Sequence, residues 1–154
     1  RHRGRDSISQ GLQQRQEGRV MTQHLPFIEQ CESARINRKF KNDCVVRAIA
    51  NATGTPYKTV FEDLMEVGLE MCAWPNQDFV WMEYLSRLGW KKNKCPRDSN
   101  GKLIKLRNWE NHPDTAIVRN SRHLTAIVDG ACFDTWDCTY RPVNTYWTQE
   151  VHNV

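Results

Sequence analysis

The sequence has no C-x-x-C pair, no internal repeat and no apolar run approaching the roughly 18 residues that a membrane span needs. The missing cysteine pairs remove the common zinc and redox motifs. His112, His123, Cys132 and Cys138 are spaced too irregularly to announce a metal site, and no cofactor is expected. Six cysteines in 154 residues fall below the density of a disulfide scaffold, so free thiols in a reducing, cytoplasmic compartment are expected. No membrane partner is expected.

A concentrated basic face is missing too. The chain carries +4, but residues 1–20 hold Arg1, Arg3, Arg5, Arg15 and Arg19 against Asp6 and Glu17. That segment's +3 leaves +1 for the rest of the chain. Phosphate backbones demand clustered Lys and Arg, so a near-neutral body argues against nucleic-acid binding as its main work. The leading stretch "RHRGRDSISQGLQQRQEGR" has almost no large apolar residue and lacks the apolar centre of a secretory signal. It reads as a disordered basic tail or a remnant ahead of Met21, with residues 21–154 as one domain. An arm that grips an acidic partner is the rival reading.

What the chain does have is three amphipathic helical segments. "NDCVVRAIANATG" can be capped by Asn42 or Asp43 and ended by Gly54, with Val45, Ile49 and Ala52 on one stripe beside Val46 and Ala50. "TPYKTVFEDLMEVG" has Thr55 as cap, Pro56 at the first helical position and Gly68 as stop, and turns Tyr57, Val60, Phe61 and Leu64 inward. "PNQDFVWMEYLSRLG" turns Val80 or Trp81, Tyr84, Leu85 and Leu88 inward and ends at Gly89. Residues 91–103 are turn-rich and polar, which predicts a loop.

The hydrophobic period then changes from helical to alternating. "DTAIVRN", "HLTAIV" and "ACFDTW" read as strands, and "TYRPVNTYW" as an edge strand whose pairing Pro142 limits. Helices followed by an antiparallel meander make an α+β fold. Asp129-Gly130 between two such runs is a strong hairpin signal. A two-residue turn there pairs Val128 with Ala131, and counting back pairs Thr125 with Asp134 and His123 with Trp136. Side chains alternate between faces, so His123, Thr125, Cys132, Asp134 and Trp136 share one face and Asp137 falls on the other. Asp134 is then the diagonal neighbour of His123.

Cys44 sits in the first turn of the first helix, where the positive end of the helix favours a thiolate. A nucleophilic cysteine also needs a base, and the base an orienting group. His123 and Asp134 supply these in order. A buried structural cysteine is the plainer reading of Cys44 alone, but the three residues together favour a catalytic site. Trp136 is placed to cover the imidazole or to line a substrate groove. The other cysteines have no such partners: Cys132 is expected in the core, and Cys72 and Cys95 in loops or helix ends.

The "DC" before a small-residue helix and the "HLTAIVDG…DTWD" block resemble papain-like cysteine peptidases. They look closest to the compact bacteriocin-processing branch and to small phage and bacterial proteins of that fold. The resemblance covers roughly residues 37–137. It implies N-terminal helices packed on a C-terminal antiparallel meander, with Cys44 as nucleophile, His123 as base and Asp134 as orienter. It further implies peptide or isopeptide substrates and a bacterial or phage-infected cell. Such enzymes usually place a Gln six residues before the cysteine as oxyanion donor, and here that position is Arg38. Asn42 and Asn37 are the nearby amides that could replace it. The alternative reading, which Arg38 favours, is a non-catalytic factor that binds a protein on the same fold.

Overall fold

A computed structural model describes residues 24–30 and 41–150. The proposed tail at 1–20, and Asn37 and Arg38, lie outside them. The element order is β1 (Phe27–Glu29), α1 (Cys44–Thr53), α2 (Tyr57–Glu70), α3 (Asp78–Arg87), β2 (Trp90–Asn93), β3 (Ala116–Asn120), β4 (His123–Val128), β5 (Ala131–Asp134) and β6 (Thr145–Gln149). The architecture is α+β, and among the described residues no helix is long and apolar enough to cross a membrane.

The sheet has six strands in the order β1-β5-β4-β3-β6-β2. The hairpin at Asp129-Gly130 forms as expected, with Val128 opposite Ala131 and Ala126 opposite Phe133. Both turn residues have positive φ, 49° for Asp129 and 78° for Gly130, as a tight hairpin turn of this hand requires. The β4–β5 ladder stops at Phe133, so Asp134 and Trp136 approach His123 from beyond the last paired residues rather than as ladder partners.

Three elements differ from the expected meander. Residues 90–93 form an edge strand against β6, although Lys91, Lys92 and Asn93 read as loop. A charged edge strand gives little apolar pattern, since only Trp90 is buried. β6 is not the edge strand expected of "TYRPVNTYW": it lies inside the sheet between β3 and β2, and Pro142 stays outside the strand. β1 joins β5 in parallel, which makes the sheet mixed. Three residues are too short to show a period, so β1 had no sequence signal.

Two apolar layers cover the sheet. On one face Ile117, Leu124 and Trp147 pack under Val45, Val46, Ile49, Val60, Leu64, Val80, Trp81 and Leu85 of the helices. On the other, Ala116, Val118, Ile127 and Cys132 lie beneath Leu106, Trp109, Cys138 and Val143 of the long connections. Phe61 and Leu88, expected inside, are 39% exposed each, because the buried stripes run through Val60–Leu64–Val67 and Trp81–Tyr84–Leu85. Gly68 does not stop α2, which continues to Glu70; a Cβ there would meet Ala73 O at 2.7 Å. Glycine at 68 therefore serves a close backbone approach rather than a helix end. Thr55 is likewise not the cap of α2, a position that Pro56 holds.

Candidate active site

α1 begins at Cys44 and packs across β4, whose first residue is His123. Asp43 occupies the cap position but makes no capping hydrogen bond with its side chain. Its buried carboxylate turns inward, accepting from Arg47 Nε at 2.9 Å and from the Tyr57 hydroxyl at 3.2 Å. The Asp43 side chain thus leaves the first N–H groups of α1, the turn that carries Cys44, uncapped by it.

The imidazole is held from its far side. His123 Nε2 and Asp134 Oδ2 are 2.6 Å apart, with Asp134 only 1% exposed. The other carboxylate oxygen, Oδ1, accepts from Arg47 Nη1 at 2.8 Å and from the Thr135 backbone N–H at 2.7 Å. With Nε2 engaged, Nδ1 is the ring nitrogen left for Cys44, whose thiol is under the influence of His123 and of the Leu124 backbone N–H. Tyr57, Asp43, Arg47, Asp134 and His123 form one continuous hydrogen-bonded chain, and Cys44 lines the same cavity as His123. β1 steadies this end of the sheet: Gln30 N–H donates to Asp134 O at 2.7 Å, and the Gln30 and Asn51 side-chain amides pair reciprocally at 2.7 and 2.9 Å.

The electrostatics follow from these contacts. Burial pushes the Cys44 thiol up, but the His123 hydrogen bond, the Leu124 N–H and the charges of His123 and Arg47 together bring it below its ordinary value. Burial alone would discharge His123, yet its bonds to Asp134, Cys138 and Cys44 push it up to about 11. Burial also opposes ionisation of Asp134, and His123 and Arg47 overcome it to hold the carboxyl well below the usual carboxylate range. Both shifts act toward a thiolate–imidazolium pair.

A cavity of about 500 Å³ opens over the thiol, walled by Asn42, Cys44, Asn76, Trp81, His123 and Trp136 among others. The Trp136 ring lies 4.7 Å from the His123 ring, centroid to centroid, and the Arg141 guanidinium stacks on Trp136 at 4.9 Å. Trp136 therefore covers the imidazole and lines the cavity at once. Asn42 also lines it, and the cap position of α1 belongs to Asp43. Asp137, the rejected orienter, is spent locally on the Thr139 N–H and hydroxyl. Cys132 is fully buried as expected, and its bond to Cys138 and its burial hold the thiol above the ordinary value.

Arg47, Asp43 and Cys138 are the site residues that the sequence reading missed. Arg47 left a signal: a charged residue inside the apolar tract "CVVRAIA", four after Asp43 and three after Cys44. A cation there must meet a buried anion. Cys138 lies beneath the His–Asp pair, its Sγ donating to Asp134 Oδ2 at 3.5 Å. His123, Asp134 and Cys138 offer ligand atoms all within 4.8 Å of one another. A divalent cation held there would compete with both the His123–Asp134 and the Arg47–Asp134 bonds. Comparison of the chain with known protein families, curated proteins and solved structures yields no match.

Proposed function

We propose that this chain is a papain-like thiol hydrolase that cleaves peptide or isopeptide bonds through an acyl-enzyme on Cys44. One observation carries the reading. A thiol at a helix start, an imidazole and the buried carboxylate bonded to it stand together at the wall of one open cavity. No single member would justify it; their order and contact do.

The Cys44 thiolate attacks the substrate carbonyl carbon, and the C=O electrons move to oxygen. Backbone N–H groups at the start of α1, with the Asn42 amide, are the donors nearest the developing oxyanion. His123 passes its Nδ1 proton to the leaving nitrogen, the C–N bond breaks, and a free amine departs. A thioester to Cys44 remains. Water then loses a proton to His123 Nδ1 and attacks the acyl carbon. The thiolate leaves, the acid departs and loses its proton to solvent as the carboxylate, and the thiolate–imidazolium pair is restored. Asp134 keeps the ring oriented and favours its charged form, without itself accepting the proton. Arg47 keeps Asp134 ionised.

A peptidyl acyloxymethyl ketone tests the reading, since it requires attack by an activated thiolate in a formed site. It should label Cys44 in the native protein and not in denatured protein or in His123→Ala. Absence of native labelling would favour a protein-binding factor with a structural Cys44.

A further inference from the structure

The cavity over Cys44 is lined by more cations than acids. Residues beyond the first twenty carry a net +1. Around the cavity stand Lys41, Arg119 and Arg122 against a single exposed acid, Asp78; the fourth cation, Arg47, is neutralised between Asp43 and Asp134. Asp78 is committed as well, because its Oδ2 sits 2.8 Å from Arg119 Nη1. Arg122 and Lys41 are exposed and make no ion pair with any described residue. Two cations without an acidic partner among the described residues therefore line the cavity that holds the thiol.

The turn that presents Arg122 is built rather than loose. Ser121 and Arg122 link β3 to β4 with Asn120 opposite His123, and Ser121 holds a φ of 62°, which a non-glycine residue adopts at a cost. Three hydrogen bonds secure it. Ser121 N–H donates to Asn144 Oδ1, Asn144 N–H to Arg119 O at 2.9 Å, and Arg119 Nε to Ser121 O at 3.2 Å. Arg122 thus adjoins the base in sequence and lines the same cavity.

Resting on the thiol-hydrolase reading, we propose that the cleft selects substrates bearing a carboxylate next to the scissile bond, with Arg122 as its principal partner and Lys41 as a second cation. A guanidinium presents paired N–H donors that match a carboxylate, and a half-enclosed cleft focuses the field of its cations. The carboxylate is either an acidic side chain or a free C-terminus.

Two measurements test this without turnover. The first compares alkylation of Cys44 by iodoacetate, an anion, with iodoacetamide, its neutral analogue. The iodoacetate-to-iodoacetamide rate ratio should exceed that of 2-mercaptoethanol by about tenfold at low salt. It should fall toward that reference in Arg122→Gln and at about 0.5 M salt, but not in Lys92→Gln, which removes the same charge outside the cleft. A ratio equal to that of 2-mercaptoethanol would overturn the proposal while leaving the hydrolase reading intact. Slow reaction with iodoacetamide itself would instead strike at the hydrolase reading. The second uses Cys44→Ala and fluorescent peptides of one sequence with Glu, Gln or Lys at the central position, each with a free or amidated C-terminus. Tighter binding of the Glu peptides assigns the site to a side chain, and tighter binding of the free acids to a C-terminus. Equal affinity across all six would overturn the proposal.

Discussion

Arg47 donates from Nη1 to Asp134 Oδ1 at 2.8 Å, so the helix that carries Cys44 also grips the carboxylate that orients His123. Arg47 and Asp134 lie 87 residues apart in the chain, yet one guanidinium fixes the relation of α1 to the end of β5. Arg47 is 6% exposed and bridges two carboxylates, Asp43 and Asp134. Removing one partner of a buried ion pair strands the rest, typically at about 3–5 kcal/mol. Arg47→Met should destabilise the fold by that order in chemical denaturation. In molecules still folded, the pH midpoint of Cys44 alkylation should rise, because the Arg47 charge helps to lower it. Arg47→Lys keeps the charge without the fork, and should recover the midpoint better than the stability.

Asp134, and not Asp137, governs His123. Asp134→Ala should lower the His123 pKa from about 11 toward the ordinary 6.5, read by NMR titration, and reduce turnover sharply. Asp137→Ala should leave that pKa in place. The sign of the stability effect follows. The raised His123 pKa contributes stability that is full below pH 6.5 and lost as pH rises through about 11. The lowered Asp134 pKa contributes stability that is present above pH 3.8 and lost as pH falls through its folded value. A Tm–pH profile should show both losses, and Asp134→Asn should flatten both.

Asn42 separates capping from catalysis. The cap position of α1 belongs to Asp43, so Asn42→Asp should leave the Tm nearly unchanged. The added charge beside the oxyanion should lower kcat by about 10²–10³-fold or more. Full activity in Asn42→Asp would leave the backbone donors of α1 to hold the oxyanion alone.

Gly68 gives a purely structural test. A methyl group at 68 would press to 2.7 Å from Ala73 O, a backbone atom that cannot rotate away. Gly68→Ala should cost about 1–3 kcal/mol despite alanine's better helix propensity, measured by urea denaturation. The nearby exposed Leu69→Ala should cost little.

The legible parts of this chain were those whose signal is periodic and local. The three helices and the Asp129-Gly130 hairpin announced themselves by spacing and turn chemistry, and the even–odd count put Asp134 rather than Asp137 beside His123. β1 and β2 escaped because three or four residues at a sheet edge owe their strand state to a partner elsewhere in the chain, not to their own pattern. The interior position of β6 escaped for the same reason. Arg47 was visible as a charge in an apolar tract, but its partner Asp134 depends on tertiary packing that no local rule supplies. Cys138 carried no sequence signal beyond its irregular spacing; it is fully buried, and its place under the His–Asp pair is set by the connection after β5.

The most direct test of the central claim is the pH dependence of Cys44 alkylation by iodoacetamide, site-resolved by mass spectrometry against Cys72 and Cys95. A thiolate–imidazolium pair predicts that Cys44 reacts fastest, that its rate stays high below pH 7, and that His123→Ala moves the profile to the range of an ordinary thiol. A Cys44 profile that rises only near pH 9, the ordinary thiol value, and is indifferent to His123, would contradict the account.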